Sequence, residues 1–198
     1  MKKNYCIDDL YKARTQYHHF EDVFDDEWQL EVYLHALGLM KKYNYNSVAD
    51  IGCGSGYKLA TYLGEYETIG LELPENIERL RKKYPDKIWE VSNFSVKSNI
   101  NTDVVICSDV IEHLVDPDEL LDYIKSMSYK YLVLSTPDRE LVYEPGQQGW
   151  DGPPRNLAHV REWNYGEFGD YISRHFNIVD QRVTNLEQAT QLVICTPK

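Results

Sequence analysis

Short apolar runs alternate with helical patterns through the middle of the chain. Continuous apolar strands that are separated by helices are typical of a parallel sheet covered on both faces. We therefore expect an α/β fold with a mostly parallel sheet and helices on either side. The predicted strands are Val48–Ile51, Thr68–Leu73, Ile88–Val91, Asp103–Ser108 and Tyr131–Ser135, and the helical patterns between them cover about 56–64, 75–84 and 117–128.

The N-terminal segment lacks this regular pattern. Residues 1–25 are aromatic and polar without a clear period, and they predict an arm or short helical turns. Asp25 or Asp26 can cap a following helix that extends to about Tyr43, because a carboxylate at that position accepts hydrogen bonds from the first turn.

The C-terminal third contains a long loop and a closing unit. Residues 137–163 carry four prolines and three glycines. A loop of this length in a compact domain is usually functional or disordered. A helix over about 164–174 then precedes Phe176–Thr184 and Thr190–Thr196, two runs joined by a short polar turn, which predict an antiparallel hairpin at the sheet edge.

Charge and hydropathy narrow the classes of function. The 198 residues carry a net charge of −11, from 32 acidic and 21 basic side chains. Such a surface repels phosphate backbones, so we expect a small or neutral substrate and no nucleic-acid partner. No apolar run reaches the roughly 18–20 residues of a membrane span, and the first residues lead into no apolar signal segment.

The four cysteines, at positions 6, 53, 107 and 195, are widely spaced and include no C-x-x-C pair. This spacing predicts reduced and mostly buried thiols without structural zinc. Reduced thiols are typical of a reducing compartment, so we expect a cytoplasmic location.

A glycine-rich turn follows the first predicted strand. The sequence Val-Ala-Asp-Ile-Gly-Cys-Gly-Ser-Gly-Tyr-Lys over residues 48–58 predicts a strand, a tight turn and a helix. A ligand that approaches this turn meets backbone N–H groups without side chains in the way. The spacing is G-x-G-x-G after Asp50, whereas the dinucleotide fingerprint is G-x-G-x-x-G.

Polar side chains stand where the neighbouring strands end. Glu72 lies 22 positions after Asp50, at the tip of the second strand, where a carboxylate can accept hydrogen bonds from a ribose diol. The third strand runs into Ser92-Asn93-Phe94, which offers an amide and an aromatic face to an adenine. The fourth strand runs into Ser-Asp-Val-Ile-Glu-His over 108–113.

Val-Ala-Asp-Ile-Gly-Cys-Gly-Ser-Gly, Ile-Gly-Leu-Glu and Ser-Asp-Val-Ile-Glu-His-Leu, in this order, resemble the motifs of class I S-adenosylmethionine-dependent methyltransferases. The resemblance implies a Rossmann-like seven-stranded sheet and S-adenosyl-L-methionine as cofactor. It also implies glycines beside the methionine part, Glu72 on the ribose, Asn93 and Phe94 beside adenine, and Ser108 or Asp109 beside the sulfonium. The expected cofactor-binding residues are Asp50, Gly52, Cys53, Gly54, Gly56, Glu72, Leu73, Asn93, Phe94, Ser108 and Asp109.

The sequence contains no internal repeat and no linker, so we expect a single domain over 1–198. Within it we expect an N-terminal arm and helix (1–46), a cofactor-binding core (47–136), a substrate loop (137–163) and a closing helix with hairpin (164–198). His18 and His19 in the arm either cover the cofactor or lie on the surface.

The loop over 137–163 leaves the fifth strand and should overhang the transferred methyl group. Its mixture of aromatic, amide and charged side chains suits a hydroxyl-rich, ring-shaped acceptor. The run Gly-Pro-Pro-Arg-Asn-Leu-Ala-His-Val-Arg-Glu-Trp is similar to a segment of methyltransferases that modify glycans, which implies a sugar hydroxyl as acceptor. The expected substrate-binding residues are Asp138, Tyr143, Trp150, Arg155, Asn156 and Arg161.

His159 is the expected general base, because an imidazole titrates near neutral pH and can take the proton of a hydroxyl. Asp109 is a second candidate base. The alternative for His159 is a structural role, in which it anchors the loop beside Trp163.

Asp109, Glu112 and His113 offer two oxygens and a nitrogen to a divalent ion, and ubiquinone-pathway O-methyltransferases have a similar arrangement. We nevertheless expect no metal. The alternative functions are O-methylation of a small aromatic or quinone-like hydroxyl, with or without a metal, and a non-catalytic cofactor-binding module. A nicotinamide-dependent sugar oxidoreductase is disfavoured because the chain lacks a Tyr-x-x-x-Lys pair.

Overall fold

A computed structural model describes residues 3–16 and 24–198. His18 and His19 lie outside the described residues. The strands are β1 (Ser47–Ile51), β2 (Glu67–Glu72), β3 (Ile88–Val91), β4 (Val104–Ser108), β5 (Tyr131–Pro137), β6 (Asn177–Asn185) and β7 (Thr190–Thr196). The helices are α1 (Leu30–Tyr43), α2 (Tyr57–Tyr62), α3 (Pro74–Lys83), α4 (Pro117–Ser126), α5 (Arg139–Val142) and α6 (Tyr165–His175), with a 3₁₀ turn at Ile111–His113.

The seven strands form one sheet in the order β3-β2-β1-β4-β5-β7-β6. The first five strands of this order are parallel, while β7 is antiparallel to β5 and to β6. The predicted α/β sheet with an antiparallel edge hairpin is confirmed. The strand order reverses between β1 and β4, and ligands of such sheets bind beyond the carboxyl ends of the strands at this point.

Two apolar clusters cover the two faces of the sheet. One face packs against α4 and α6, through residues such as Leu120, Ile124 and Phe168. The other face packs against α1, α2 and α3, through residues such as Met40 and Leu59. Burial on both faces explains why β1 and β4 are continuous apolar runs rather than alternating ones.

The start of α1 differs from the prediction. The helix begins at Leu30 after Gln29, which has a left-handed backbone (φ 60°), and neither Asp25 nor Asp26 caps it. The Asp26 carboxylate instead accepts a hydrogen bond from the Trp28 backbone N–H, 3.0 Å away, and so forms a local turn before the helix. This turn leaves Trp28 52% exposed beside the carboxyl ends of the strands.

The N-terminal arm (residues 3–16) crosses over the segment that follows α5. Lys12 N–H donates to the Asp151 carbonyl and Arg14 N–H donates to the Val160 carbonyl, both at 2.8 Å. The Tyr11 hydroxyl accepts from the Glu162 backbone N–H at 3.0 Å. The arm therefore fixes the backbone of residues 151–162 from outside.

The long loop is shorter than predicted, because β5 continues to Pro137 and α5 follows at once. Residues 143–163 connect α5 to α6, and we call them the α5–α6 loop. None of the helices in the described part of the chain is long and apolar enough to cross a membrane.

Candidate active site

A cavity of about 1160 Å³ opens at the carboxyl ends of the parallel strands. Ligand pockets commonly measure about 300–1,000 Å³, so this cavity has room for a nucleoside together with a second molecule. The turns after β1, β2, β3 and β4 form one part of its wall. The α5–α6 loop, the segment before α1 and the β6–β7 turn form the rest.

The glycine turn is held against the tip of β2. Gly54 N–H donates to Glu72 Oε2 at 2.8 Å, and Leu73 N–H donates to Oε1 at 2.7 Å. Gly52 has φ +72°, and a Cβ there would lie 2.4 Å from Val110 Cγ2. Gly52, Gly54, Glu72 and Leu73 all line the cavity, so the first two strand ends meet as predicted.

Three of the predicted cofactor residues lie behind the cavity wall instead of on it. Asp50, Cys53 and Gly56 are buried and are absent from the lining. A Cβ on Gly56 would approach Leu80 and Trp89 to 2.8 Å, so this glycine permits packing rather than ligand contact.

Asp50 is completely buried at the end of β1. Its Oδ2 accepts a hydrogen bond from the Tyr33 hydroxyl at 2.9 Å, while Oδ1 has no hydrogen-bond partner. Burial raises the pKa of Asp50 to about 7, against the opposing effects of the Tyr33 hydroxyl and of Lys58. This incompletely paired carboxyl lies directly beneath the glycine turn and makes the layer behind the cavity wall polar.

Asn93 and Phe94 form the side of the cavity beyond β3. The Asn93 amide oxygen accepts from the backbone and the hydroxyl of Ser95, at 3.1 and 2.7 Å, which fixes the turn. The ring of Phe94 packs against Tyr123 with 5.4 Å between centroids, so it belongs to the core edge as well as to the cavity.

Asp109 follows β4 in a left-handed conformation (φ 51°). Its Oδ2 accepts from Gln29 Nε2 and its Oδ1 from the Ser135 hydroxyl, both at 2.5 Å. The Ser108 hydroxyl donates to Gln29 Oε1 at 3.1 Å. Burial raises the pKa of Asp109 to about 6. Both carboxylate oxygens are thus engaged, an arrangement that suits a positioned acceptor of hydrogen bonds better than a proton-transferring base.

His159 lines the cavity and lies between two partners. Its Nδ1 donates to Glu162 Oε1 at 2.5 Å, and its Nε2 accepts from the Asn156 amide nitrogen at 2.9 Å. A carboxylate on one ring nitrogen orients the imidazole and leaves the other nitrogen as the hydrogen-bond acceptor. The ring packs edge-on against His113 with 4.9 Å between centroids, and not against Trp163 as the structural alternative assumed.

Glu112, His113 and His159 form a compact group, with one ligand atom of each within 4.8 Å of the others. Glu112 is completely buried; Thr136 donates to its Oε2 at 3.1 Å, while Oε1 has no hydrogen-bond partner. Burial raises the pKa of Glu112 and lowers the pKa of His113 to about 4. His113 Nδ1 donates to the Ala158 carbonyl at 3.0 Å.

These contacts orient both imidazoles through hydrogen bonds at Nδ1, which is the usual support of a metal-binding histidine. A nitrogen–nitrogen–oxygen set of this kind suits a divalent transition metal. The sequence had grouped Asp109 with Glu112 and His113; the structure brings His159 to that pair, because Asp109 is held by Gln29 and Ser135.

Tyr143, Arg155 and Asn156 line the cavity as predicted for substrate contacts. The Arg155 guanidinium lies over the Tyr143 ring, 4.7 Å from its centroid, and the Tyr143 hydroxyl accepts from the Arg155 N–H at 2.9 Å. This pair joins the start of the α5–α6 loop to its second half at the cavity.

Arg161 lies outside the cavity lining. It is only 3% exposed and donates to the carbonyls of Leu114 and Val115 at 2.8 and 2.7 Å. Its guanidinium also lies 4.5 Å from the ring centroid of Tyr5 in the N-terminal arm. The prediction of a substrate contact is therefore corrected: Arg161 ties the arm and the 3₁₀ turn to the α5–α6 loop.

Asp138 and Trp150 are also outside the cavity lining. The Asp138 carboxylate accepts from the Glu140 N–H at 3.0 Å and caps α5, and burial raises its pKa to about 6. The Trp150 N–H donates to the Gln147 carbonyl within a turn of the α5–α6 loop. Both residues shape the loop rather than the cavity.

The sequence profile of the family described as "Methyltransferase domain" matches residues 25–191. The chain belongs to this methyltransferase family. It is an S-adenosylmethionine-dependent methyltransferase. A comparison with curated proteins gives no match.

Solved structures share the fold of this methyltransferase at low sequence identity. The methyltransferase domain of bacterial CtHen1-C is 20% identical, with a TM-score of 0.62, and the match covers 86% of this chain and 98% of that domain. The magnesium protoporphyrin IX methyltransferase of Synechocystis PCC 6803 with bound S-adenosylhomocysteine is 13% identical, with a TM-score of 0.63, and the match covers 86% of this chain and 84% of that chain. An S-adenosylmethionine-dependent methyltransferase of Aquifex aeolicus is 16% identical, with a TM-score of 0.61, and the match covers 88% of this chain and 95% of that chain.

Sequence reasoning missed three residues of this methyltransferase that lie at the cavity: Gln29, Lys58 and Glu162. Glu162 stands three positions after His159, which stands three positions after Asn156. From this spacing, contacts among the three side chains could have been predicted. Lys58 follows the last glycine by two positions, where a charged residue at the start of a buried helix is unusual. Gln29 carried no local signal, because its contacts with Asp109 and Ser108 join distant parts of the chain.

Proposed function

We propose that this methyltransferase modifies a hydroxyl oxygen of a sugar, in a glycan or glycoconjugate. The observation that carries the proposal is His159, which lines the cavity and is held by Glu162. When bound, the cofactor supplies a methyl group on a cationic sulfur, which is already electrophilic. What remains for the chain is to bind both molecules, exclude water and take a proton from the hydroxyl.

The residues at the glycine turn fit the cofactor. A methyl group of Val110 occupies the space where a Cβ of Gly52 would stand. The Gly52 backbone is therefore accessible only from the cavity side. Glu72 accepts two backbone hydrogen bonds and lines the cavity, and a carboxylate is a suitable acceptor for the hydroxyls of a ribose. We propose that Leu73, Asn93 and Phe94 bind the adenine.

Ser108 and Asp109 are proposed to lie beside the sulfonium. A negative group at this point favours a cationic ligand, and Gln29 with Ser135 keeps the Asp109 carboxylate in one orientation. The partly unpaired Asp50 lies behind this wall, at the end of β1.

The proton of the acceptor hydroxyl is proposed to go to His159 Nε2. Glu162 holds the Nδ1–H, which makes Nε2 the basic nitrogen of the neutral ring. The Asn156 amide donates to that nitrogen at 2.9 Å, and its side chain is exposed, so an acceptor hydroxyl can take its place.

The lining of this side supports a sugar. Arg155, Asn156, Glu187 and Gln188 offer donors and acceptors for the hydroxyls of a sugar. The net charge of −11 supports a small or neutral acceptor over a nucleic acid. The four free cysteines support a reducing, cytoplasmic environment.

A second candidate is O-methylation of a small aromatic or quinone-like hydroxyl with a divalent metal. The group Glu112, His113 and His159 supports it, since a metal there would hold Glu112 ionised despite its burial and would lower the pKa of a bound hydroxyl. The apolar side chains of Phe24 and Trp28 at the cavity mouth, 65% and 52% exposed, would suit an aromatic ring.

One experiment distinguishes these candidates. Labelled methyl transfer is measured onto a panel of glycans, phenolic alcohols and peptides, with and without EDTA, and with Mg²⁺, Mn²⁺ or Zn²⁺ added back. Transfer to a sugar hydroxyl that survives EDTA is the expected result. Transfer to a phenol that is lost with EDTA and restored by one metal would support the second candidate and overturn the first.

A further inference from the structure

Lys58 is a cation buried in the wall of the cavity. Its side chain is 7% exposed, and it lies in the first turn of α2, two residues after Gly56. The ammonium is 5.6 Å from the ring centroid of Tyr33, which donates to Asp50. A lysine is rarely buried to this degree without an anionic partner.

The anionic partner that the structure provides is weak. Among the described residues, Asp26 is the carboxylate within 4.0 Å of Lys58 Nζ, at 3.8 Å, and its side chain is 51% exposed. An exposed carboxylate at this distance contributes little, because water screens the pair. Asp26 lies in the segment before α1 and also lines the cavity. Because Lys58 also lines the cavity, an anionic group of a bound ligand can reach this ammonium from the cavity side.

We infer that Lys58 binds the α-carboxylate at the amino-acid end of the cofactor. The inference rests on the proposed cofactor site, in which Glu72 holds the ribose on the other side of the glycine turn. The amino-acid end then extends along Gly52 and Gly54, toward Lys58. A carboxylate is the only anionic group of this ligand. Among the described residues that line the cavity the lysine and arginine side chains are Lys58 and Arg155, and Lys58 is the one that follows the glycine turn.

The charges of the surrounding wall agree with this orientation. The carboxylates of Asp50 and Asp109 lie on the same side and both interact with Lys58. They favour the ammonium and the sulfonium of the ligand, while Lys58 favours its carboxylate. A ligand with two positive groups and one negative group thus meets opposite charges at each end. Lys58 would select nucleosides that carry an amino-acid carboxylate over nucleosides that have lost it.

The test is a thermodynamic cycle by calorimetry. Wild type and Lys58→Met are titrated with S-adenosylhomocysteine and with its decarboxylated analogue, which keeps the ammonium. Lys58→Met should lower the affinity for S-adenosylhomocysteine about 10- to 100-fold and change the affinity for the analogue less than about threefold. Lys58→Arg should recover part of the lost affinity. Lys41→Met, at the exposed end of α1, is the matched control and should change neither affinity.

Equal weakening of both ligands by Lys58→Met would overturn the inference, because Lys58 would then be a structural residue. If that variant does not fold, wild type alone decides: it should bind S-adenosylhomocysteine at least about tenfold more tightly than the analogue, and equal affinities would overturn the inference. A wild type that binds neither ligand would overturn the proposed cofactor site itself, and the inference with it.

Discussion

The two sides of the cavity are built in different ways. The side proposed for the cofactor is made by consecutive strand ends of one sheet, and its main contact, Gly54 to Glu72, joins residues 18 positions apart. The side proposed for the acceptor is made by the α5–α6 loop, which the N-terminal arm fixes through Arg14 and Tyr11 from about 150 positions away. One side follows from local sequence, whereas the other depends on long-range contacts.

This difference has a consequence for mutations. A change at the glycine turn should affect binding of the cofactor and little else, because its supports are backbone groups of the rigid sheet. A change in the α5–α6 loop should affect turnover or stability, depending on whether the side chain faces the cavity or the arm. The following predictions separate these effects, from the largest to the smallest.

His159→Gln tests whether the loop side carries the proton transfer. The variant keeps a polar side chain but loses the basic nitrogen, so turnover should fall about 10²–10⁴-fold while the affinity for S-adenosylhomocysteine stays unchanged. Steady-state rates and calorimetry measure the two effects. His175→Gln is the control, since His175 lies near Asp118 and outside the cavity lining. Wild-type turnover in His159→Gln would remove His159 as the base.

Arg161→Leu tests whether the loop depends on the arm. The substitution removes the donor to the partly buried carbonyls of Leu114 and Val115, so the free energy of unfolding should fall by about 1–3 kcal/mol. Urea unfolding measures this loss, and Arg161→Lys should lose less because one donor remains. If stability were unchanged and only the KM of the acceptor rose, Arg161 would be a substrate contact after all.

Glu72→Gln tests the side of the cavity that the strand ends form and that is proposed to bind the cofactor. An amide donates where the carboxylate accepts, which disturbs the Gly54 contact and weakens any bond from a ribose hydroxyl. The affinity for S-adenosylhomocysteine should fall about 10- to 100-fold, with a small change in stability. Glu67→Gln, at the exposed opposite end of β2, should change neither quantity. Equal effects of both variants would argue against a ribose contact.

Asp50→Asn tests the buried carboxyl beneath the glycine turn through the pH dependence of the free energy of unfolding. Because the pKa of Asp50 is raised in the folded state, folding favours its protonated form. Its contribution to stability is therefore full below pH 4 and is lost as pH rises toward about 7. The free energy of unfolding of wild type minus that of Asp50→Asn should decrease between pH 4 and pH 7. A constant difference in urea titrations would contradict this prediction.

The sheet was predictable because its signals are local. β1 and β4 are apolar runs of five residues, and the glycines between β1 and α2 stand at positions with positive φ. Glu72 was predictable for the same reason, since it ends the strand after the glycine turn. The start of α1 was not, because Gln29 is held in its left-handed conformation among side chains from two distant parts of the chain, Ser108–Asp109 and Gln188.

The roles of the loop residues depended on contacts that no spacing encodes. Arg155 and Arg161 are the same residue type in the same loop, yet one faces the cavity and the other supports Leu114 and Tyr5. Their difference arises from where the N-terminal arm crosses. Glu112, His113 and His159 come together because the backbone of Val160 donates to the Glu112 carbonyl at 2.7 Å, a bond across nearly fifty positions.

The crossing of the N-terminal arm also sets an order for folding during synthesis. Residues 3–16 are made well before their partners at Asp151, Val160 and Glu162, which follow about 140–150 positions later. The sheet from β1 to β5 can therefore assemble while the aromatic side chains of Tyr5 and Tyr11 still lack their native surroundings. Closing so long a loop is slow relative to local contacts. The site that would transfer the methyl group is completed only when the N-terminal arm meets the α5–α6 loop.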